Sequence, residues 1–139
     1  MKLQLVTLRG VKLSQNVYEV QIPTAAGEIS VFDDHEPLVT IARPGALLVR
    51  VNRDDSDEDQ RIYAINGGAV HIQDNVLKIL VDEADDADDI IAAEAEAALE
   101  RAREQRAGAK DSISISEAEA LMNRAAIRLK VAGLRIKRR

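Results

Sequence analysis

The segment of the chain best suited to chemistry is Asp33-Asp34-His35-Glu36, four ionisable residues in a row before a proline. Carboxylates next to an imidazole can bind a divalent metal ion or transfer protons as general acids and bases. The second histidine, His71, is related to His35 by neither an H-x-H nor an H-x-x-x-H spacing. A small metalloenzyme that uses His35 is therefore one alternative, and a solvated turn is the interpretation that we prefer.

Other catalytic signatures are missing from the sequence. It contains no cysteine, and Ser112, Ser114 and Ser116 stand outside any G-x-S-x-G pattern. Neither the G-x-x-x-x-G-K-[ST] nor the G-x-G-x-x-G pattern occurs, and Gly67-Gly68 is typical of a tight hairpin turn. We therefore predict a protein without catalytic residues, metal or cofactor of its own.

The composition is that of a globular protein. Of 139 residues, 46% are hydrophobic and 31% are charged, which suits one domain or a small domain with an appendage. No stretch approaches the roughly 18–20 consecutive apolar residues of a transmembrane helix, and no apolar signal-peptide core follows Met1. Aromatic residues make up 2%, which disfavours stacking on nucleic-acid bases. We expect an intracellular protein that binds no nucleic acid and does not insert into the membrane.

The net charge of −5 is distributed unevenly. Acidic residues cluster at positions 54–59 and 82–89, whereas residues 127–139 carry basic residues and no acidic one. An acidic body with a basic end indicates that this end meets an acidic surface, either its own or that of a partner.

Alternation of apolar and polar residues predicts strands over the first part of the chain. Tyr18, Val20 and Ile22 alternate with polar residues, and similar short runs follow between glycine-, proline- and asparagine-containing turns. About nine or ten such strands, without long crossover helices, favour two sheets packed as a β-sandwich. We place this all-β domain at residues 1–84.

An antiparallel helical hairpin is predicted at residues 85–139. Residues 90–106 are rich in alanine and follow aspartates that are suited to cap a helix. A loop is expected at 110–115, and Ser116 with Glu119 forms a capping box for the second helix. Alanine stabilises less on burial than leucine does, so the hairpin can be either constitutively packed or movable. The residues alone favour the packed interpretation.

Arginines of the second helix recur at intervals of four, seven and four residues, which places them along one side if the helix begins at Ser116. They are Arg124, Arg128, Arg135 and Arg139. A solvated basic face is the simplest interpretation of this row.

Short motifs in a fixed order resemble one known family. Its G-E-[FIL]-G-[VI] and P-G-H-A-P-L-[LV]-T patterns are similar to Gly27-Glu28-Ile29-Ser30-Val31 and His35-Glu36-Pro37-Leu38-Val39-Thr40. Its K-P-G, S-G-G-[FI]-[VL] and K-V-T-V-L-A-D patterns are similar to Arg43-Pro44-Gly45, Ile65-Asn66-Gly67-Gly68-Ala69-Val70 and Asn75-Val76-Leu77-Lys78-Ile79-Leu80-Val81-Asp82. With the helical hairpin, they make essentially the whole chain similar to the epsilon subunit of bacterial F-type ATP synthase.

Four places depart from the family pattern. Asp33-Asp34 stands where Pro-Gly is usual, and Ser30 replaces a glycine. The customary F-S-G is lost around Leu13-Ser14-Gln15-Asn16, and the loop from Asn52 to Gln60 is longer and more acidic than usual. Because loops vary more readily than the sheet core, the resemblance extends to the fold more than to any one contact.

The resemblance implies a non-catalytic central-stalk subunit of a rotary, proton-translocating machine. Its sandwich would bind the gamma subunit and the c-ring, with Glu28 and His35 making polar contacts there. Its hairpin would permit ATP hydrolysis when folded. When extended, it would bring the four arginines to the alpha and beta subunits and inhibit hydrolysis. The subunit would be peripheral, at the cytoplasmic face of the bacterial plasma membrane. The competing interpretation is a stand-alone β-sandwich binding module with a helical recruitment tail.

Some members of this family bind ATP through an [IL]-D-x-x-R-A sequence at the start of the first helix. The corresponding residues are Ile90-Ile91-Ala92-Ala93-Glu94-Ala95, so Ile91 replaces the aspartate and Glu94 replaces the arginine. A glutamate repels phosphate where an arginine would donate charge-assisted hydrogen bonds. We therefore predict that the hairpin does not bind ATP.

Overall fold

Eight strands form one sheet in the computed structural model, which describes residues 1–138. They are β1 (Lys2–Thr7), β2 (Gly10–Asn16), β3 (Glu19–Thr24), β4 (Gly27–Val31), β5 (Leu38–Arg50), β6 (Arg61–Gln73), β7 (Val76–Val81) and β8 (Ala84–Asp86). The strand order is β2-β1-β7-β6-β5-β3-β4, and β8 pairs with β6. The pair β1–β7 is parallel and the other pairs are antiparallel.

The two longest strands, β5 and β6, turn this sheet into a sandwich. They pair in one register from Leu38 opposite Ile72 to Val49 opposite Arg61. Before Pro44 the even-numbered residues of β5 face the core, and after it the odd-numbered residues do. The strand pair therefore twists near Pro44, and each of the two strands contributes to both layers. The predicted β-sandwich is confirmed. The strands number eight rather than nine or ten because each long strand spans both layers.

Gly67 and Gly68 let β6 pass close to its neighbours at the twist. A Cβ atom on Gly68 would lie 2.0 Å from the carbonyl oxygen of Leu80, and one on Gly67 would lie 3.0 Å from that of Ala42. The prediction of a tight hairpin turn here is wrong, since both glycines lie inside β6. What requires glycine is the close packing of backbones at the fold in the sheet.

Two helices follow a 3₁₀ turn at Ala87–Asp89. They are α1 (Ala92–Gly108) and α2 (Ser112–Lys137), which confirms the predicted pair of C-terminal helices. The connecting segment is shorter than the predicted loop because Asp111 caps α2, accepting hydrogen bonds from the Ser114 N–H at 2.7 Å and the Ser114 hydroxyl at 3.1 Å. These hydrogen bonds lower the pKa of Asp111.

The start of α1 also differs from its prediction. Ile91 occupies the N-cap position and forms no side-chain cap, whereas Asp86 caps the 3₁₀ turn by accepting from the Asp88 N–H at 2.9 Å. The predicted aspartate cap is wrong because β8 continues the sheet to Asp86, past the expected boundary after residue 84. At the other end, α2 continues through Gly133.

Buried alanines line both helices, as the composition predicts. Ala95 and Ala102 are buried in α1, and Ala118 and Ala125 are buried in α2. Small side chains let two helices approach closely but bury little apolar area, so the hairpin has limited stability of its own.

We predict opposite effects for one added methyl group at two glycines. Gly68→Ala forces a Cβ onto the Leu80 carbonyl and should lower the free energy of unfolding by at least about 3 kcal/mol. Gly133→Ala, in α2 with no neighbour within 4 Å of the new Cβ, should raise it by about 0.5–1 kcal/mol. Urea denaturation of both variants measures these changes, and a Gly68→Ala protein as stable as the unmodified chain would contradict the sheet packing.

Candidate functional site

The acidic segment around His35 is an ordered turn between β4 and β5. The Asp33 carboxylate accepts a hydrogen bond from the amino group of Met1, which lowers the pKa of Asp33. The Asp34 N–H donates to the Asn75 side-chain oxygen at 2.9 Å, and His35 Nδ1 lies 2.7 Å from the Glu36 carbonyl oxygen. Within residues 1–138, no group of three or more histidine or carboxylate side chains is placed to hold a metal ion. The contacts of this segment are those of a turn.

Glu28 and His35, the two residues predicted to contact the rotor, do not form one site in the structure. Glu28 is exposed in β4, opposite Pro23 of β3. His35 is half-buried in the turn that follows β4. Among the described residues, no hydrogen bond or ion pair links them. Each can still contribute one polar group to a partner surface.

An exposed row of apolar side chains crosses five strands on the outer face of the sheet. Strand pairing places Ile41 opposite Ala69, Ala69 opposite Leu80, Leu80 opposite Val6, and Val6 opposite Val11. We call these five residues the outer stripe. Ile41 is 65% exposed, Val11 66% and Leu80 45%. Contiguous exposed apolar surface of this kind marks an interaction site.

The outer stripe was not predicted from the sequence, although the sequence carries a signal for it. Val76-Leu77-Lys78-Ile79-Leu80-Val81 has apolar residues on both faces of the strand, where a half-solvated strand would alternate strictly. The register between strands is what turns such scattered residues into one row.

The helical hairpin packs on a different part of the sandwich. Its apolar contact is a cluster around Leu48 of β5 and Ile62 of β6, whose side chains point away from the main core. Val131 and Ala132 of α2 and Ile90 cover these residues. The hairpin is therefore docked on the outer face of the second layer.

Three of the four predicted arginines face acidic groups of the same chain. Arg124 Nε lies 2.6 Å from a Glu83 carboxylate oxygen, and Arg128 Nε lies 3.3 Å from one of Asp85. Arg135 Nε lies 3.1 Å from one of Asp88. The prediction of a solvated basic face is wrong for these arginines, since their basic row meets the acidic segment that precedes α1. Arg139 lies outside the described residues.

The end of α2 also contacts the acidic loop between β5 and β6. Arg135 donates from one Nη to the Gln60 carbonyl oxygen at 2.7 Å and from the other to the Glu58 carbonyl oxygen at 3.1 Å. Arg138 donates to the Gln60 side-chain oxygen at 2.5 Å. The acidic and basic clusters of the sequence were the available signal for these contacts. Which residues of the two clusters pair is determined by the tertiary structure.

The residues that replace the ATP-binding pattern lie at the start of α1. Ile91 is the N-cap and is largely exposed, and Glu94 is exposed in the first turn. An acidic side chain at this position interacts favourably with the positive end of the helix dipole and repels a phosphate group. The prediction that this route does not bind ATP stays a prediction.

In the part of the chain that the structure describes, no helix has the length and apolar character needed to cross a membrane.

Comparison with known families gives a match over the sandwich. A family model described as "ATP synthase, Delta/Epsilon chain, beta-sandwich domain" matches residues 1–87.

Several relatives match nearly the whole chain. The ATP synthase epsilon chain of Herpetosiphon aurantiacus is 34% identical over 134 residues, which are 96% of this chain and 95% of the relative. That of Chloroflexus aggregans is 34% identical over 138 residues, 99% of this chain and 96% of the relative. A chloroplastic epsilon chain of Nephroselmis olivacea is 33% identical over 134 residues, 96% of this chain and 97% of the relative.

Solved structures give the same result. A chain in a cryo-EM structure of Euglena gracilis mitochondrial ATP synthase with its c-ring has a TM-score of 0.76 and 28% identity, over 95% of this chain and 79% of that one. A chain of the Tetrahymena thermophila mitochondrial enzyme has a TM-score of 0.61 over 95% of this chain and 96% of that one. At 16% identity the second likeness shows the fold alone.

Proposed function

The chain belongs to the ATP synthase delta/epsilon chain family and is a central-stalk subunit of an F-type ATP synthase, and from this premise we propose that it is a non-catalytic coupling subunit whose sandwich binds the gamma subunit and the c-ring. The observation that carries this proposal is the outer stripe. Membership of the family disfavours the alternative of a stand-alone binding module.

The outer stripe suits a large, permanent protein partner. Its side chains come from five strands and form a rigid surface, so little conformational entropy is lost when a partner covers it. Leu80 in the middle of the row and Ile41 at one end are aliphatic anchors, and the polar side chains of His71 and Lys78 lie beside the row. An apolar centre with a polar rim is the usual composition of a stable protein interface. We assign this face to the gamma subunit.

We assign the c-ring contact to the region of Glu28 and His35. Both residues lie near turns of the sandwich, away from the helical hairpin, and each can form a polar contact at the rim of an interface. On this assignment the subunit is peripheral at the cytoplasmic face of the bacterial plasma membrane, held there by its partners and without inserting into the bilayer.

The docked hairpin is the non-inhibitory state in this proposal. Arg124 and Arg128 are half-exposed and contact carboxylates of the same chain, and their Nε atoms have no aligned hydrogen bond. An acidic surface on the alpha and beta subunits can therefore replace Glu83 and Asp85 at small net cost, because partly exposed ion pairs contribute little. The extended hairpin then inhibits ATP hydrolysis.

We predict that Ile41→Glu weakens binding of purified gamma subunit at least about 30-fold, because a charge replaces an aliphatic anchor of an apolar interface. The fold should be kept, since the Ile41 side chain is already 65% exposed. Titration calorimetry measures the affinity. Ile113→Glu is the matched control, because Ile113 is 71% exposed in α2 and lies outside the outer stripe. Equal gamma affinity for the unmodified chain and Ile41→Glu would contradict the assignment.

We predict that a chain truncated before Ser112 allows faster ATP hydrolysis by the reconstituted catalytic complex than the full chain does. The difference should shrink as salt is raised, because the inhibitory contacts are exposed charges. A full-length Arg124→Gln, Arg128→Gln double variant is the control that keeps α2 in place and should lose most of the inhibition. Equal rates at low salt for truncated and full-length chains would show that the hairpin is structural and not a brake.

We predict that calorimetry detects no submillimolar binding of ATP to the unmodified chain. An Ile91→Asp, Glu94→Arg double variant restores the family's charge pattern and is the positive control, because arginine can donate charge-assisted hydrogen bonds to a phosphate. Submillimolar ATP binding to the unmodified chain would overturn the prediction.

A further inference from the structure

Arg135 differs in its surroundings from the other arginines of α2. It is 6% exposed, whereas Arg124 and Arg128 are half-exposed. A buried guanidinium is costly unless its donors are satisfied. Here its two Nη groups donate to the backbone carbonyls of Glu58 and Gln60. Its Nε lies 3.1 Å from an Asp88 carboxylate oxygen but, like the Nε atoms of Arg124 and Arg128, forms no aligned hydrogen bond. Arg135 thus connects α2 with the β5–β6 loop through hydrogen bonds and with the 3₁₀ turn through an ion pair.

The loop that receives Arg135 is held by contacts that do not involve α2. Arg50, at the end of β5, contacts Asp57 at 2.8 Å and Glu19 of β3 at 3.3 Å. Within the loop, Asp59 accepts hydrogen bonds from the Ser56 N–H at 3.0 Å and the Ser56 hydroxyl at 2.8 Å. These contacts fix the loop on the sheet and direct its last carbonyl groups towards α2. Together, residues 52–60 form a preorganised receptor for a guanidinium.

A partner surface can replace the contacts of Arg135 less easily than those of Arg124 and Arg128. Arg124 and Arg128 contact only carboxylates, which an acidic partner surface can also supply. Arg135 contacts two backbone carbonyl groups and one carboxylate, so its release breaks contacts with three separate groups at once. Removal of the guanidinium while α2 stays docked takes this donor from the buried Gln60 carbonyl, and a buried carbonyl without a donor is costly.

We propose that Arg135 is the retaining residue of the docked hairpin and that the loop of residues 52–60 is its receptor, so that Arg135 opposes inhibition instead of contributing to it. This inference rests on the proposed function for its effect on ATP hydrolysis. Its effect on the docking of the hairpin is independent of that function. Arg135 acts here as a positioning residue, holding α2 so that Arg124 and Arg128 stay on their internal partners.

The test is Arg135→Ala in the full-length chain, followed by hydrogen exchange of the α2 amides. Exchange in residues 131–137 should accelerate at least about tenfold relative to the unmodified chain, because hydrogen bonds to a charged group are lost from the docked state. Exchange in the strands of the sandwich should not change. Arg135→Lys, which keeps the charge but not the planar fork of donors, should give an intermediate acceleration. Lys130→Ala removes the same charge from an exposed position of α2 and should leave exchange unchanged.

The second readout is ATP hydrolysis by the reconstituted catalytic complex carrying each variant. Arg135→Ala should lower the rate below that with the unmodified chain, because the released hairpin still carries Arg124 and Arg128. Faster hydrogen exchange with an unchanged rate of ATP hydrolysis would support Arg135 as the retaining residue. It would count against inhibition of hydrolysis by the hairpin. Faster exchange with a raised rate would overturn the proposal, since Arg135 would then be an inhibitory contact.

Exchange at the end of α2 that matches Lys130→Ala would also overturn the proposal. If Arg135→Ala also accelerates hydrogen exchange in the sandwich strands, the Asp88→Asn variant provides the test instead. This variant removes the charge of one partner of Arg135 and keeps the size of the side chain. Faster exchange confined to α2 in Asp88→Asn would then support the retaining contact, and unchanged exchange there would overturn it.

Discussion

The structure depends on the continuous pairing of β5 with β6. One register joins them from Leu38 to Val49, and the twist near Pro44 moves the strand pair from one layer of the sandwich to the other. Because a shift of one residue would exchange the two faces of a strand, this register fixes which side chains enter the core and which remain outside. The close packing at Gly68 holds the twist in place. Both functional surfaces are built on this strand pair.

The two surfaces use different parts of that strand pair. Ile41 and Ala69 contribute to the outer stripe, whereas Leu48 and Ile62 lie beneath the helical hairpin. The other end of the stripe comes close to the hairpin, since Val11 lines one pocket with Glu83 and Arg124. In the proposed function, attachment to the rotor and regulation by the hairpin therefore use different side chains of the strand pair.

The hairpin is held by a balance of weak packing and charge. Buried alanines join the helices, and a small apolar cluster fixes them on the sheet. Ion pairs add modest attraction because most of them are partly exposed to water. Among these contacts, Arg135 is the one buried arginine of α2 in the described residues that donates hydrogen bonds to backbone carbonyls of the sandwich, which is why we propose it as the retaining residue. The acidic loop of residues 52–60, in which the chain departs from its family, supplies those partners.

Local pattern was sufficient to predict the sandwich, the pair of helices and the spacing of the arginines, because period-two and helical periodicities are properties of neighbouring residues. It was not sufficient for Asp111, which competes with the Ser116 capping box and begins α2 one turn earlier. The outer stripe could not be predicted either, since Ile41, Leu80 and Val11 become neighbours only through pairing of five strands. The sequence also left open whether the basic end would meet its own acidic surface or that of a partner. Only the tertiary structure decided this, because the choice depends on where the fold places Glu83, Asp85 and the β5–β6 loop relative to α2.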